Sequence, residues 1–144
     1  MKYTPPKQTE LTLSRTIAAS PGEVFDVWID PRSPGGPWFG ATKVLLDARV
    51  DELFYNMLAH EGRQWAHYGR FIVLDRPRRI EHTWVSEATR GVESVVSLTF
   101  EPRGDKTQVT LRHTGVPDDE FGLQHREGWD FVLGAIEQRF ARKA

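Results

Sequence analysis

Five histidines (His60, His67, His82, His113 and His125) and one arginine, Arg15, are the side chains whose types and positions could do chemistry in this chain. No two histidines stand in a His-x-His or His-x-x-x-His relation, the spacings that bring two imidazoles onto one face of a strand or helix, so no metal site is expected. Cysteine is absent, which removes thiolate nucleophiles, disulfides and cysteine-held zinc and suits a reducing, cytoplasmic setting. A Gly-x-Ser-x-Gly elbow, a phosphate loop and a dinucleotide fingerprint are also missing, and no cofactor is expected. What remains is imidazole and guanidinium chemistry: a general base, an oxyanion partner, or groups that orient a bound molecule by hydrogen bonding.

Alternation decides which of these groups face a core. Val109, Leu111 and His113 alternate against Thr110, Arg112 and Thr114, which puts His113 on the apolar side. His82 shares its parity with Ile80 and Trp84, and Arg15 is the only charge on the parity of Leu11, Leu13 and Ile17. An unpaired buried polar group costs about 1–3 kcal/mol, so an apolar face that keeps such groups has a use for them. That use is either to orient a ligand's polar end or to make a structural ion pair or hydrogen bond.

His125 and Trp129 lie one helical turn apart and face the same way, as a polar gate and a stacking platform. Alternatively Trp129 is core, Gly128 is where the sheet approaches the helix backbone, and His125 is a bonded structural residue. The aromatics Trp38, Phe39, Trp65, Phe71 and Trp84 complete the candidate set, although aromatic side chains fill cores before they bind ligands. Around Trp65 the face is ambiguous, because Trp65, His67, Phe71 and Val73 compete with Tyr68, Ile72 and Leu74.

The elements that position these residues follow from periodicity and punctuation. A strand is predicted over 10–17, after a loose leader at 1–9, and Ser20-Pro21-Gly22-Glu23 has the layout of a capping box for a helix running to about Asp30. A Pro/Gly-rich loop then delivers Trp38-Phe39-Gly40 to a meander with strands near 42–49, 52–59, 64–75, 80–87, 92–101 and 107–114. The connections are too short for helical crossovers. A long helix is predicted from a cap at Asp118, with Trp129, Val132, Leu133, Ile136 and Phe140 as its apolar stripe. Arg126, Glu127, Asp130, Glu137, Gln138 and Arg139 read as its solvated face. A sheet with one long helix must curve around it, and such a grip leaves a cavity at one end.

At 144 residues the chain is one domain in size, 10–144 after the leader, and large enough to bury about 68–70% of its unfolded surface. Nineteen Lys and Arg against twenty Asp and Glu give a net charge of −1, so no overall field recruits nucleic acid. Arg76-Pro77-Arg78-Arg79 reads as a solvated turn rather than a nucleic-acid patch. No stretch reaches the ~18 apolar residues of a membrane span, and no membrane insertion is expected.

Several motifs together resemble the START-like (SRPBCC) helix-grip superfamily, and within it the branch of activator-of-heat-shock-protein-ATPase homologues. They are Arg15-Thr16-Ile17 with Val24-Phe25 and Trp28, Trp38-Phe39-Gly40, Asp47-Ala48-Arg49-Val50, Gly69, and Asp75 to Ile80 with Thr83-Trp84. Val96 to Pro102, and His125 with Gly128-Trp129, complete the set. The resemblance covers about residues 10–142. It departs at Asp51-Glu52, where the branch usually has Gly-Gly; Asp tolerates a left-handed turn better than Glu. The resemblance implies an α+β helix-grip fold, a curved antiparallel sheet of about seven strands on a long C-terminal helix. It implies function less sharply, since members are chaperone co-activators or self-resistance proteins that capture a small molecule, and related branches include lipid carriers and polyketide cyclases.

Three functions follow as expectations. The first is binding of an apolar or aromatic small molecule between sheet and helix. The second is a cyclase or hydro-lyase-type enzyme in which a cavity histidine is the base. The third is a chaperone-interacting domain, which would need a contiguous exposed apolar patch; the outward strand parities show none, although the loop 31–40 could supply one.

Overall fold

Ser20 starts the first helix in the way its local sequence dictates. Its hydroxyl accepts from the Glu23 amide at 3.3 Å, the Glu23 carboxylate accepts from the Ser20 amide at 3.3 Å, and Pro21 sits in the first turn. A cap of this kind is worth about 1 kcal/mol. The helix, α1 (Pro21–Ile29), buries Val24, Phe25, Val27 and Trp28.

The computed structural model describes residues 7–38 and 40–141. Before α1 comes β1 (Gln8–Ile17), two residues earlier than the alternation suggests. After it come β2 (Lys43–Leu46), β3 (Leu53–His60), β4 (Arg63–Asp75) and β5 (Arg79–Ser86). A single 3-10 turn over Glu87–Thr89 leads to β6 (Ser94–Arg103), β7 (Lys106–Pro117) and the long α2 (Glu120–Ala141). The strands form one antiparallel seven-stranded sheet in the order β1-β7-β6-β5-β4-β3-β2. The architecture is therefore α+β, a curved sheet gripping one long helix, with α1 against β6 and β7 and α2 against β1 and β7.

Four local features differ from the sequence expectation. Strand β2 ends at Leu46 rather than near 49, because Asp51 takes a left-handed φ of 72° and donates its amide to Phe71 O at 2.8 Å. Phe71 in turn donates to Glu52 O at 3.1 Å, so Asp rather than Glu carries the strained position. The cap of α2 is Asp119, not Asp118: its carboxylate accepts from the Phe121 amide at 2.9 Å, while the Asp118 amide donates to Lys7 O. The close approach of sheet to helix backbone falls at Gly122, where a Cβ would lie 2.4 Å from Pro117 O; a Cβ on Gly128 would meet nothing within 4 Å. The helix face read as solvated is partly tethered, since Asp130 and Glu137 bond Arg15, and Arg139 bonds the Ser33 hydroxyl and Pro34 O.

The ambiguous parity of β4 is resolved by a bulge. Phe71 pairs with His82 and Val73 with Glu81, leaving Ile72 as the extra residue, and Leu74 then faces Ile80. Trp65, His67 and Phe71 therefore share the inner parity before the bulge, and Leu74 joins the core after it. Both competing sets were partly right, because the face switches within the strand.

Cross-strand register arranges the inner face in rows. One runs Phe71, His82, Val96, His113, Leu11; a deeper one runs Leu74, Ile80, Leu98, Leu111, Leu13. Toward the opposite end of β3 and β4 a third row holds Asn56, His67 and Ser86. The first two rows are largely apolar and the third is polar. The third row lies under the start of α2.

Candidate functional site

Two of the inward histidines are where parity puts them, and both are fully bonded. The His82 ring, which is wholly buried, lies with Nδ1 2.9 Å from Thr83 O, so Nδ1 carries the proton and Nε2 accepts from Trp28 Nε1 at 3.2 Å. His113, also wholly buried, accepts from Trp129 Nε1 at 3.0 Å through Nδ1. Its Nε2 lies 2.7 Å from Ser94 Oγ, whose own proton goes to Trp84 O at 2.5 Å. Each histidine thus fixes an indole: His82 holds Trp28, and His113 holds Trp129. Burial pushes the His82 ring down to about 4, against the hydrogen bond to Thr83. Burial, and then the charges that His125 and His82 would carry, push His113 well below its usual range. Both are neutral at physiological pH.

Arg15 lies on the inner parity of β1, opposite Val109, and its guanidinium reaches across to α2. There it donates to Glu137 at 2.6 Å and Asp130 at 2.8 Å and lies 3.6 Å from the position of a Cβ on Gly134. Its hydrogen bonds to Asp130 and Glu137 raise its pKa further. Strand β1 is strapped to the helix by this residue.

The indoles held by the histidines belong to a continuous aromatic cluster. Trp129 packs against Trp84 at 5.0 Å and Trp28 at 5.7 Å between ring centroids. Trp38 donates to Trp28 O at 2.6 Å and meets Phe54 edge-on at 5.0 Å. Phe71 lies 5.4 Å from Phe54, and His67 stacks on Trp84 at 4.7 Å. Phe54 itself lies over Gly69, where a Cβ would fall 2.2 Å from Thr83 O and 2.7 Å from the Phe54 ring. No other residue could stand there. Of the sequence candidates Trp38, Trp65, Phe71, His82, Trp84, His113, His125 and Trp129 are brought together on this face, and Phe39 lies outside the described residues.

One end of the cluster is unfinished. Among the described residues the side-chain polar atoms that are buried without a partner are both amide atoms of Asn56, the indole Nε1 of Trp65 and of Trp84, and Nδ1 of His67. Asn56 pairs across the strands with His67, and His67 stacks on Trp84, so these groups are neighbours. His125, on the first turns of α2, closes this end. Its Nδ1 donates to Phe121 O at 2.8 Å, its ring lies 5.1 Å edge-on to His113, and burial holds it below its usual pKa. Burial, and secondarily the charge on His125, pushes His67 to about 4. The rim is set by ion pairs: Arg63 lies over the Trp65 ring at 4.1 Å and bonds Glu87, and Arg90 bonds Asp119.

Sequence reasoning overlooked Asn56. Its signal lies in Phe54, Asn56 and Leu58 sharing one parity of β3, but an amide does not titrate and so does not stand out beside the histidines. A separate open groove of about 340 Å3 lies between β1 and the start of α2, lined by Glu10, Leu11, Asp119 and Leu123 among others. Asp118 and Asp119 at that groove are already paired with Lys7 and Arg90.

The outer face of the sheet carries an apolar patch that its parities did not suggest. Leu45 pairs with Tyr55 and Tyr55 with Tyr68; with Leu53 they cover the outside of β2 to β4, and Leu45, Leu53 and Tyr68 are 58%, 72% and 52% exposed. No helix is long and apolar enough to cross a membrane, and no group of three or more His, Asp or Glu side chains is placed to hold a metal among the described residues.

Solved structures share this architecture. The chain superposes on protein CV1439 from Chromobacterium violaceum with a TM-score of 0.79 at 22% identity, covering 91% of this chain and 96% of that one. Protein Ms6760 from Mycobacterium smegmatis gives a TM-score of 0.73 at 20% identity over 94% of each chain. CalU16 from Micromonospora echinospora gives 0.64 at 21% identity, covering 90% of this chain and 73% of that one. These likenesses show the fold alone. No curated protein matches the sequence. The profile of the family described as Activator of Hsp90 ATPase homolog 1-like protein matches residues 18–141, which takes in α1, the strands from β2 to β7 and α2, and the chain belongs to that family.

Proposed function

We propose that the protein binds a small, largely aromatic molecule at the unfinished end of the cluster, between β3 to β5 and the first turns of α2. The observation that carries this reading is the set of unpaired buried polar atoms on Asn56, Trp65, His67 and Trp84. Each costs the empty fold about 1–3 kcal/mol, and a folded chain keeps such groups where a ligand or ordered water completes them. The rings of Trp84 and Trp129 give the molecule a surface to pack on, and His125 closes the end. His82 and His113 support the wall by fixing Trp28 and Trp129. The sign of a general base would be a histidine in hydrogen-bond reach of a second titratable group at the site. The hydrogen bonds of His82, His113 and His125 described above go instead to tryptophan, serine and main-chain partners. This favours binding over turnover.

Native mass spectrometry of the purified protein, followed by a thermal-shift screen of aromatic and lipid-like compounds, tests the reading. A ligand at about one hundred times its Kd stabilises the fold by ~2.7 kcal/mol. A co-purified mass, or a hit whose shift is lost when His125 and Asn56 are replaced, supports it; an apo mass and no hit overturns it.

The outer patch of Leu45, Leu53, Tyr55 and Tyr68 favours a second reading, interaction with a protein partner of the chaperone kind that the family's description names. Stimulation of a purified Hsp90-type ATPase, abolished by Leu53→Lys and Tyr68→Lys, is its test. No stimulation by the intact protein discards it.

A further inference from the structure

We propose that the molecule taken up at this end is neutral and planar and presents an N–H beside a carbonyl, the edge of an amide or lactam, which the carboxamide of Asn56 reads. The inference rests on the binding role proposed above and specifies its ligand.

Asn56 is wholly buried, and neither its Oδ1 nor its Nδ2 has a partner. A carboxamide offers one acceptor and one donor side by side in a plane, and the edge that satisfies both at once is a donor beside an acceptor in the same plane. Cross-strand from it, His67 does not bond the amide, so the two do not satisfy each other. The unpaired Trp84 and Trp65 indoles are donors only, which adds a demand for carbonyl oxygens. Flatness follows from the edge itself, since an N–H beside a carbonyl lies in one amide plane, and the surrounding side chains are rings, with His67 stacked on Trp84 at 4.7 Å.

Charge argues for a neutral molecule. Among the described residues, Arg15 is held by Asp130 and Glu137, Arg63 by Glu87, and Arg90 by Asp119. The imidazoles facing the site are neutral because burial disfavours their protonation. A carboxylate entering here would lose its hydration to meet neutral imidazoles and arginines already paired with carboxylates.

Calorimetric titration at neutral pH with 2-quinolinone, N-methyl-2-quinolinone and 2-naphthoate decides the matter. The first carries the full edge, the second keeps the rings and carbonyl but has no N–H, and the third is an anion of similar size. The expected result is that 2-quinolinone binds at least about tenfold more tightly than either of the others, a difference of about 1.4 kcal/mol. In Asn56→Leu the ratio against N-methyl-2-quinolinone falls to about one, while that against 2-naphthoate persists. A penalty from the bulk of the N-methyl group would persist in the variant, whereas one from the lost hydrogen bond would not. Asn56→Ala serves the same purpose if the leucine variant does not fold. Binding of all three within about threefold, tightest binding of 2-naphthoate, or a preference over N-methyl-2-quinolinone that survives both substitutions overturns the inference and leaves the binding role standing. No heat from any of the three at about 1 mM, the weak end of the affinity scale, overturns the inference and leaves the binding role to the wider screen.

Discussion

Replacing Asn56 by leucine should make the empty protein more stable. The amide is wholly buried on β3 with two unpaired polar groups, and leucine has the same branching without them. Removing an unpaired carbonyl and an unpaired amine relieves about 1–3 kcal/mol each, and the larger methyl groups return about 1–3 kcal/mol through crowding. The net expectation is a gain of about 1–3 kcal/mol. For 144 residues at about 2.1 cal/mol/K each, the unfolding entropy is about 0.3 kcal/mol/K, so the gain appears as a rise in Tm of about 3–10 °C. In urea the midpoint should rise with an unchanged slope, which places the effect in the folded state's free energy and not in the surface exposed on unfolding. Alanine is the control for leucine's bulk and strand propensity, because it is only slightly better a β-former than asparagine and still sheds both polar groups. Asn56→Ala should stay within about 1 kcal/mol of the parent, since lost packing and lost polar strain oppose each other. The reasoning is refuted if both variants lose more than about 2 kcal/mol, for then Asn56 is satisfied in the empty protein and places no demand on a ligand.

Acid should destabilise the fold before its carboxylates titrate. His67 and His82 are lowered from 6.5 to about 4 and His113 and His125 shift the same way, so between those limits the unfolded chain takes up protons that the folded chain refuses. Their contribution is complete above pH 6.5 and is lost as pH falls toward 4, about 2 kcal/mol each for His67 and His82 at pH 5. His67→Phe should reduce that loss by about its own share, and urea midpoints that stay flat from pH 7 to 5 would contradict the burial. Arg15→Met should cost only about 1 kcal/mol, because Asp130 and Glu137 are 59% and 44% exposed, and should leave the affinity of a screen hit within about twofold. A larger loss of affinity would return Arg15 to a ligand-orienting role. Gly69→Ala should cost about 2–3 kcal/mol or more, since its Cβ would stand 2.2 Å from Thr83 O, and a loss below about 0.5 kcal/mol would show that β4 and β5 part freely there.

The fold was legible wherever its determinants are local. The capping box at Ser20 and Glu23 involves residues three apart, the hairpin turns at Glu61-Gly62 and Gly104-Asp105 announce themselves, and Trp129, Leu133, Ile136 and Phe140 mark the buried side of α2 by spacing alone. Where a distant partner decides, the reading slipped. The face of β4 changes at Ile72 because Phe71 and Leu74 must both face inward against β5, which no window within β4 reveals. Asp118 and Asp119 are equal candidates for the cap of α2, and the choice falls to Asp119 where the Asp118 amide is taken by Lys7. Asp130 and Glu137 look solvated on a helical wheel until Arg15 arrives from a strand more than a hundred residues earlier. Leu45 and Tyr68 form one patch only because β2 and β4 flank β3 in the sheet.

The site was half legible for a related reason. Parity reports that a polar side chain faces inward; it cannot report whether its bonds are made. His82, His113 and Asn56 are alike in parity and in burial, yet both histidine rings are bonded at each nitrogen and the amide is bonded at neither atom. That difference is fixed by Trp28, which comes from α1, by Trp129, from α2, and by Ser94, from β6, none of which lies near the histidine it satisfies in sequence. It also inverts the usual search for function. The titratable groups, which sequence reasoning ranks first, hold two indoles at set angles and thereby make the aromatic wall rigid. The groups left wanting partners are an amide, two indole N–H groups and an imidazole kept neutral by burial. In the binding role proposed above, such a set would recognise shape and hydrogen-bond pattern in a fixed frame rather than carry a proton in transit.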